Sequence, residues 1–276
     1  MIPRDYITHW RERAPWSEDF QVEQDLIISR ALIEMFSDPV LAKALAFRGG
    51  TALYKLYLTP PARYSEDIDL VQVGPGPAGV LMDGLRGVLD PWLGEARWKQ
   101  SQGRVTFGYR FLSEDVPAMR LRLKVEINTR EHLAVLGFTK RSFSVDSRWY
   151  SGMANITTFE LDELLATKLR ALYQRRKGRD LFDLATGLAD ERIDAERIVA
   201  GFGAHMEREG DPVTRAMFER NLAGKVGHAQ FNADMSALLR TGYEWRPTEA
   251  ARIVSERLIA LLPGEPWKGR LGRGPA

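Results

Sequence analysis

The chain has 276 residues, 44% of them hydrophobic and 28% charged, a composition that buries a sizeable core and excludes collagen, a disulfide mini-scaffold and a wholly disordered chain. Lysine plus arginine number 39 against 37 aspartate plus glutamate, so at a net charge of +2 any affinity for nucleic acid must come from local basic patches. The absence of cysteine removes disulfides, thiolate zinc sites and thiol chemistry together, and four scattered histidines (His9, His132, His205, His228) argue against a His-rich metal site.

The N-terminal stretch MIPRDYITHWRERAPW is charged and aromatic, without the apolar run of a signal peptide, and no segment approaches the roughly 18 apolar residues of a membrane span; a cytoplasmic protein is expected. Residues 20–36 place Phe20, Leu26, Ile27, Leu32, Ile33 and Phe36 near helical spacing. Ser37-Asp38-Pro39 reads as a cap leading into a helix over 39–46, because proline suits a first helical turn. Phe47 to Thr51 interrupts it, and 52–58 reads as a short helix ended by Pro60-Pro61. A strand is expected over 68–73, closed by the turn-rich GPGPAG at 74–79. Val105, Phe107, Tyr109 and Phe111 alternate with Thr106, Gly108 and Arg110, and Leu121, Leu123, Val125 and Ile127 alternate with Arg122, Lys124 and Glu126, both the period of half-buried strands. Past about residue 158 the pattern is helix after helix. The outline is a mixed N-terminal half and a helical C-terminal half, with a boundary near 155 and a loose Gly/Pro-rich tail over 263–276.

Four features carry possible chemistry. In Arg63-Tyr64-Ser65-Glu66-Asp67-Ile68-Asp69-Leu70, a strand puts Asp67 and Asp69 on one face, about 7 Å apart, and Ile68 and Leu70 on the other. Such a pair either marks a polar strand end or holds a hard cation such as Mg²⁺ between its carboxylates. Gly49-Gly50-Thr51 stands before a helix, either as a tight turn or as an anion cradle of backbone N–H groups; it is no P-loop, since no G-x-x-x-x-G-K-[ST] occurs. Glu126, on a polar strand face with Lys124 and Arg122, is either one charge of a solvated face or a third carboxylate or base.

The helix over 160–176 supplies the fourth feature. At 100° per residue with Leu161 at zero, Leu164, Leu165 and Leu172 fall near 300°, 40° and 20°, and Lys168 falls near 340°, inside the apolar stripe, while Arg170 points opposite. A core-facing ammonium is costly unless it is paired, reaches a cleft or snorkels to the rim. Beyond Gly178, Asp180 and Asp183 are neighbours at i, i+3 in the first turn of the next helix. Arg170, Arg175, Arg176, Lys177 and Arg179 form a run that is either a solvated turn or a landing strip for triphosphate or RNA phosphates.

In order along the chain, Phe47-Arg48-Gly49-Gly50-Thr51-Ala52-Leu53, Tyr64-Ser65-Glu66-Asp67-Ile68-Asp69-Leu70, and Lys168-x-x-Ala171-Leu172 with Arg176-x-Gly178-Arg179-Asp180-x-x-Asp183 resemble the AbiEii/MenT nucleotidyltransferase toxins of the DNA-polymerase-β-like superfamily. The resemblance spans roughly residues 20–190. It implies an α+β fold: a nucleotidyltransferase lobe over 1–155 with a mixed sheet flanked by helices, and a mostly helical lobe over 156–276 that completes the active site through Lys168 and Asp183. It also implies a toxin of a bacterial toxin–antitoxin system that uses Mg²⁺ to transfer nucleotides from an NTP, a pyrimidine NTP in some members, to the 3′ acceptor end of tRNA, with a cognate antitoxin as partner and no membrane. Carried over by motif, Gly49, Gly50 and Thr51 cradle the phosphates, Asp67 and Asp69 hold Mg²⁺, Lys168 binds the triphosphate, and Asp183 is the fourth motif's carboxylate with Asp180 as its competitor. Ser65 matches a position that a kinase-like antitoxin phosphorylates in some relatives; Arg48, Glu126 and Arg179 are further candidates. Two departures stand out: Gly-Gly-Thr replaces the superfamily's frequent Gly-Ser, and glutamate rather than aspartate stands at 126. The rival readings are an enzyme that nucleotidylates a protein or an aminoglycoside-like small molecule, and a non-catalytic nucleotide-binding module.

Overall fold

The structure is a computed structural model that describes residues 2–269; of the tail expected to be loose, residues 270–276 lie outside the described residues. The described chain divides into two compact units, the first comprising residues 2–159 with 240–242 and the second 160–239 with 243–269. Residue 155, the expected boundary, falls inside a strand that ends at Phe159.

The first unit opens with α1 (Arg4–Trp10) and α2 (Asp19–Ser37). The helical spacing read from the apolar residues holds, yet α2 is buried nearly all round, Gln21, Glu23, Gln24 and Asp25 included. Asp38 caps α3 (Pro39–Ala44) by accepting from the Val40 and Leu41 N–H groups, each at 2.9 Å, with Pro39 in the first turn. The expected helix over 39–46 stops short, because Leu45–Arg48 forms β1, an apolar four-residue strand too short to show a period. Gly49 does not interrupt a helix but begins one, α4 (Gly49–Leu56). Then come β2 (Asp67–Gln72), α5 (Ala78–Leu93), β3 (Arg97–Ser101), β4 (Arg104–Leu112), β5 (Arg120–Asn128), β6 (Phe138–Asp146) and β7 (Ser151–Phe159).

The seven strands form one mixed sheet ordered β3-β4-β5-β2-β1-β7-β6, in which β2–β5 and β1–β7 are parallel and the remaining pairs antiparallel. The apolar alternations of β4 and β5 are all buried, facing α2 and α5. Leu81, Leu85, Leu89 and Leu93 supply the matching stripe on α5 at four-residue spacing. Each such fully buried side chain contributes about 1.5–3 kcal/mol of hydrophobic free energy.

The second unit is helical: α6 (Leu161–Gln174), α7 (Gly178–Gly187), α8 (Ala195–Glu209), α9 (Arg215–Val226), α10 (Ala229–Ala233), α11 (Pro247–Arg257) and a 3₁₀ turn at Ile259–Leu261. Neighbours α7, α8 and α9 surround α6, so its polar positions are buried too: Glu163 meets His205 at 3.2 Å, and Arg170, expected opposite the apolar stripe, meets Glu209 at 2.9 Å. The described part of the tail has no regular structure but is tied down, Pro263 accepting from the Arg215 N–H at 2.8 Å and the Trp267 N–H donating to Glu219 at 2.6 Å. No described helix is long and apolar enough to cross a membrane.

Candidate active site

In the first unit, the turn from β1 into α4 meets the start of β2. Register sets Arg48 beside Asp69 across the antiparallel β1–β2 pair, and Asp67 and Asp69 beside Lys124 and Glu126 across the parallel β2–β5 pair. As alternation requires, Ile68 and Leu70 are buried while the two aspartates open on the other face. Gly49 takes φ +82°, and a β-carbon on it would stand 2.5 Å from Asp69 Oδ2. Only glycine satisfies both the backbone angle and the carboxylate packed against it. A β-carbon on Gly50 would collide with the buried guanidinium of Arg63.

Thr51, in the first turn of α4 and buried, donates its hydroxyl to the Asp67 carbonyl and pairs with the Ser65 hydroxyl at 2.8 Å. Gly49, Gly50, Thr51, Ser65, Asp67 and Asp69 are thus brought together as the motif reading expected. The first backbone N–H groups of α4 have no partner inside the helix and are suited to an anion. A cavity of about 540 Å³ adjoins this turn, with Thr51, Ser65, Lys55, Arg63, Trp16 and Arg240 among its lining.

Glu126 joins the same group. Lys124 Nζ lies 3.1 Å from Asp67 Oδ2 and 3.6 Å from Glu126 Oε2, and Arg104 Nε is 3.2 Å from Glu126 Oε1. Arg48 bonds Glu131 at 3.3 Å. Burial pushes the Asp69 carboxyl above the ordinary carboxylate range, Asp67 and Glu126 push the same way, and Arg48 and Lys124 oppose them. Burial works against the Lys124 ammonium, but Asp67, Asp69 and Glu126 outweigh it and raise its pKa. In the sequence Lys124 stands only as a neighbour of Glu126; their spacing of two residues on one strand face is the available signal.

Among the described residues no cluster of three or more His, Asp or Glu side chains surrounds one point closely enough to bind a metal alone. The carboxylate pair nevertheless fits Mg²⁺, which is commonly held by one or two carboxylates with the remaining positions left to water and substrate phosphates. Burial and then repulsion from Asp67 raise the Asp69 carboxyl, and added positive charge beside the pair would offset both.

The second unit holds the other motif residues. Lys168, buried in the α6 stripe as its position on the helix predicts, lies 2.7 Å from Asp183 Oδ2 and 3.4 Å from Asp180 Oδ1. Both aspartates are fully buried, and Arg175 forks onto Asp180 at 2.7 and 2.8 Å. Burial pushes the Asp180 carboxyl up, but Lys168 and Arg175 outweigh it and hold it below the ordinary range. The basic run is less free than its sequence implies: Arg170 holds Glu209, Arg175 holds Asp180, and Lys177 lies 3.4 Å from Asp234, which also accepts from the Arg179 backbone N–H at 3.4 Å.

A family model for the nucleotidyl transferase AbiEii toxin of type IV toxin–antitoxin systems matches residues 30–253. The chain belongs to the AbiEii family of nucleotidyltransferase toxins. Among solved structures it is similar to MenT4, a nucleotidyltransferase toxin from Mycobacterium tuberculosis H37Rv, at 18% identity and a TM-score of 0.69, over 95% of this chain and 91% of that one. It is also similar to JHP933 from Helicobacter pylori, at 18% identity and a TM-score of 0.56, over 88% and 91%. At these identities the likeness is one of fold. A comparison with curated protein sequences gave no match. Family membership makes the chain a nucleotidyltransferase.

Proposed function

We propose that this AbiEii enzyme is a cytoplasmic, Mg²⁺-dependent toxin that transfers a nucleotide from an NTP, a pyrimidine NTP by resemblance, to the 3′ acceptor end of tRNA. The observation that carries the proposal is the Asp67–Asp69 pair on β2 facing the Gly49 bend, with Asp69 packed where a side chain on residue 49 would be. Gly49, Gly50 and Thr51 receive the triphosphate at the start of α4, and Asp67 and Asp69 hold the metal. Mg²⁺ held there would neutralise phosphate charge as the acceptor 3′-hydroxyl, giving its proton to solvent, bonds the α-phosphorus, the α–β bond breaks and pyrophosphate leaves. Glu126, positioned by Arg104 and Lys124, is a third carboxylate of the site. In this reading Lys168, held by Asp183 and Asp180, binds the triphosphate, the role the resemblance gives it.

An antitoxin is the expected partner, and Ser65 offers it a point of control. A phosphate on that hydroxyl removes its bond to Thr51 and sets a dianion beside Asp67. Incubation with each of four labelled NTPs and total tRNA tests the proposal. Label on RNA that disappears in Asp67→Ala and in Lys168→Ala, with growth arrest in a bacterial host relieved by Asp69→Ala, is the expected result. Label on protein or on an aminoglycoside-like small molecule selects the first rival reading. Mg²⁺-independent NTP binding without turnover selects a non-catalytic module.

A further inference from the structure

The sheet face that carries Asp67 and Asp69 continues outward from them. Across β5 and β4, register sets Lys124 beside Gly108, Arg122 beside Arg110 and Arg120 beside Leu112; across β4 and β3 it sets Gly108 beside Arg97 and Thr106 beside Lys99. Directly opposed residues share a face. The reverse side of β4 and β5 is entirely apolar and buried, whereas Arg97, Lys99, Arg110, Arg120 and Arg122 are exposed.

None of these five cations has a carboxylate partner among the described residues. Nearer the acids the cations are neutralised: Lys124 is held by Asp67 and Glu126, and Arg104 by Glu126. Gly108 contributes by having no side chain, since a β-carbon there would stand 3.0 Å from Arg122 Nε and 3.2 Å from its Nη2. The guanidinium therefore lies across the strand next door. No aromatic ring lies on this face of β3, β4 or β5, in contrast to sheets that read RNA by stacking bases. Unpaired cations at steps of about 7 Å along a strand and about 5 Å between strands present a charge lattice without a base platform. Such a surface suits phosphates, whose contacts position a nucleic acid without reading its sequence.

We infer that this arginine-lined face of β3–β5 binds the phosphodiester backbone of the RNA acceptor and leads its 3′ end toward Asp67 and Asp69. The inference rests on the RNA-directed reading above and names the surface that the cation run over 170–179, largely committed to acids, does not supply.

The test is fluorescence anisotropy of the full chain with a labelled RNA hairpin bearing a short single-stranded 3′ end, measured over a series of salt concentrations. Each phosphate contact contributes about 0.7–0.9 to the slope of log affinity against log salt. The variant Arg110→Ala/Arg120→Ala/Arg122→Ala is expected to bind on the order of ten-fold or more weakly near 0.1 M salt, with a slope smaller by about 2. Replacing the same three residues by lysine keeps the slope. Because all three are exposed, circular dichroism and the thermal midpoint stay as in the parent, and calorimetric NTP binding is unchanged. Equal affinity and slope in the alanine variant overturns the inference, as does retained RNA binding with lost binding of an acidic protein partner. If the parent binds RNA through these arginines but transfers no nucleotide to it, the face stands and the transfer reading fails.

Discussion

Asp69 Oδ2 occupies the space that a side chain at Gly49 would need, 2.5 Å from the position of its β-carbon. Gly49→Ala therefore has two costs: a φ of +82° that an L-residue adopts at about 1–2 kcal/mol, and displacement of the carboxylate. The expected outcome is an unfolding free energy in urea lowered by at least that amount and nucleotidyl transfer reduced far beyond it, since Asp69 is moved. A variant with parental transfer rates would show that the contact is not part of the catalytic geometry.

The hydroxyl chain from Ser65 through Thr51 to the Asp67 carbonyl predicts a second outcome. Thr51 has one proton and gives it to the carbonyl, so Ser65 donates to Thr51. Thr51→Val keeps the shape, deprives that carbonyl of a donor and leaves the Ser65 hydroxyl without its acceptor, at about 1–3 kcal/mol for the buried group left unsatisfied. Ser65→Ala removes only the outer donor and is expected to cost less. Chemical denaturation of both variants checks the order; a larger loss for Ser65→Ala would show that the Thr51 bond to the Asp67 carbonyl contributes less than the Ser65 hydroxyl.

What was legible in the sequence follows from which forces act locally. The aspartates at 67 and 69 read correctly because strand alternation is a backbone property, and Lys168 because its neighbours on α6 are leucines. Arg170 did not, because α8 brings Glu209 to it from 39 residues away, a tertiary contact that no helical wheel contains. α5 was hidden by Gly74, Pro75, Gly76 and Pro77, which mark the turn before it, and by Gly79, Gly84, Gly87 and Pro91 within it. β6 buries only Val145 and β3 exposes all of its residues, so neither shows the apolar period that marks β4 and β5. Glu126 joined the acid pair through the parallel β2–β5 pairing, a connection across more than fifty residues that spacing alone could not supply.

Lys168 meets two fully buried carboxylates, so its removal should act on stability as well as on catalysis. Breaking a buried ion pair by deleting one partner costs about 3–5 kcal/mol, and Lys168→Met is expected to lose stability of that order at pH 7. The pH dependence has a defined sign. Asp180 is held below its ordinary range, so its contribution is present above the unfolded value near pH 4 and is lost as pH falls through the depressed folded value. The gap between Lys168→Met and the parent should therefore narrow on acidification. A gap that stays constant as pH falls below about 4 would detach Lys168 from the titration of Asp180.

Lys225 supplies the opposite case. Its buried ammonium donates to the Leu172 and Tyr173 carbonyls at the end of α6. Burial lowers its pKa to about 8, with Asp180 opposing and Arg176 assisting. In the unfolded chain a lysine titrates near pH 10.4, so between about pH 8 and 10 the unfolded state binds more protons than the folded one. Stability linked to this group must then rise with pH across that window, because the folded state sheds the cost of burying a charge. Lys225→Met has no proton to release, and its unfolding free energy should lack that rise. Denaturant titrations of both proteins at pH 7, 8, 9 and 10 measure the difference directly. Parallel pH profiles would show that the ammonium at the end of α6 keeps its charge through the carbonyls it bonds.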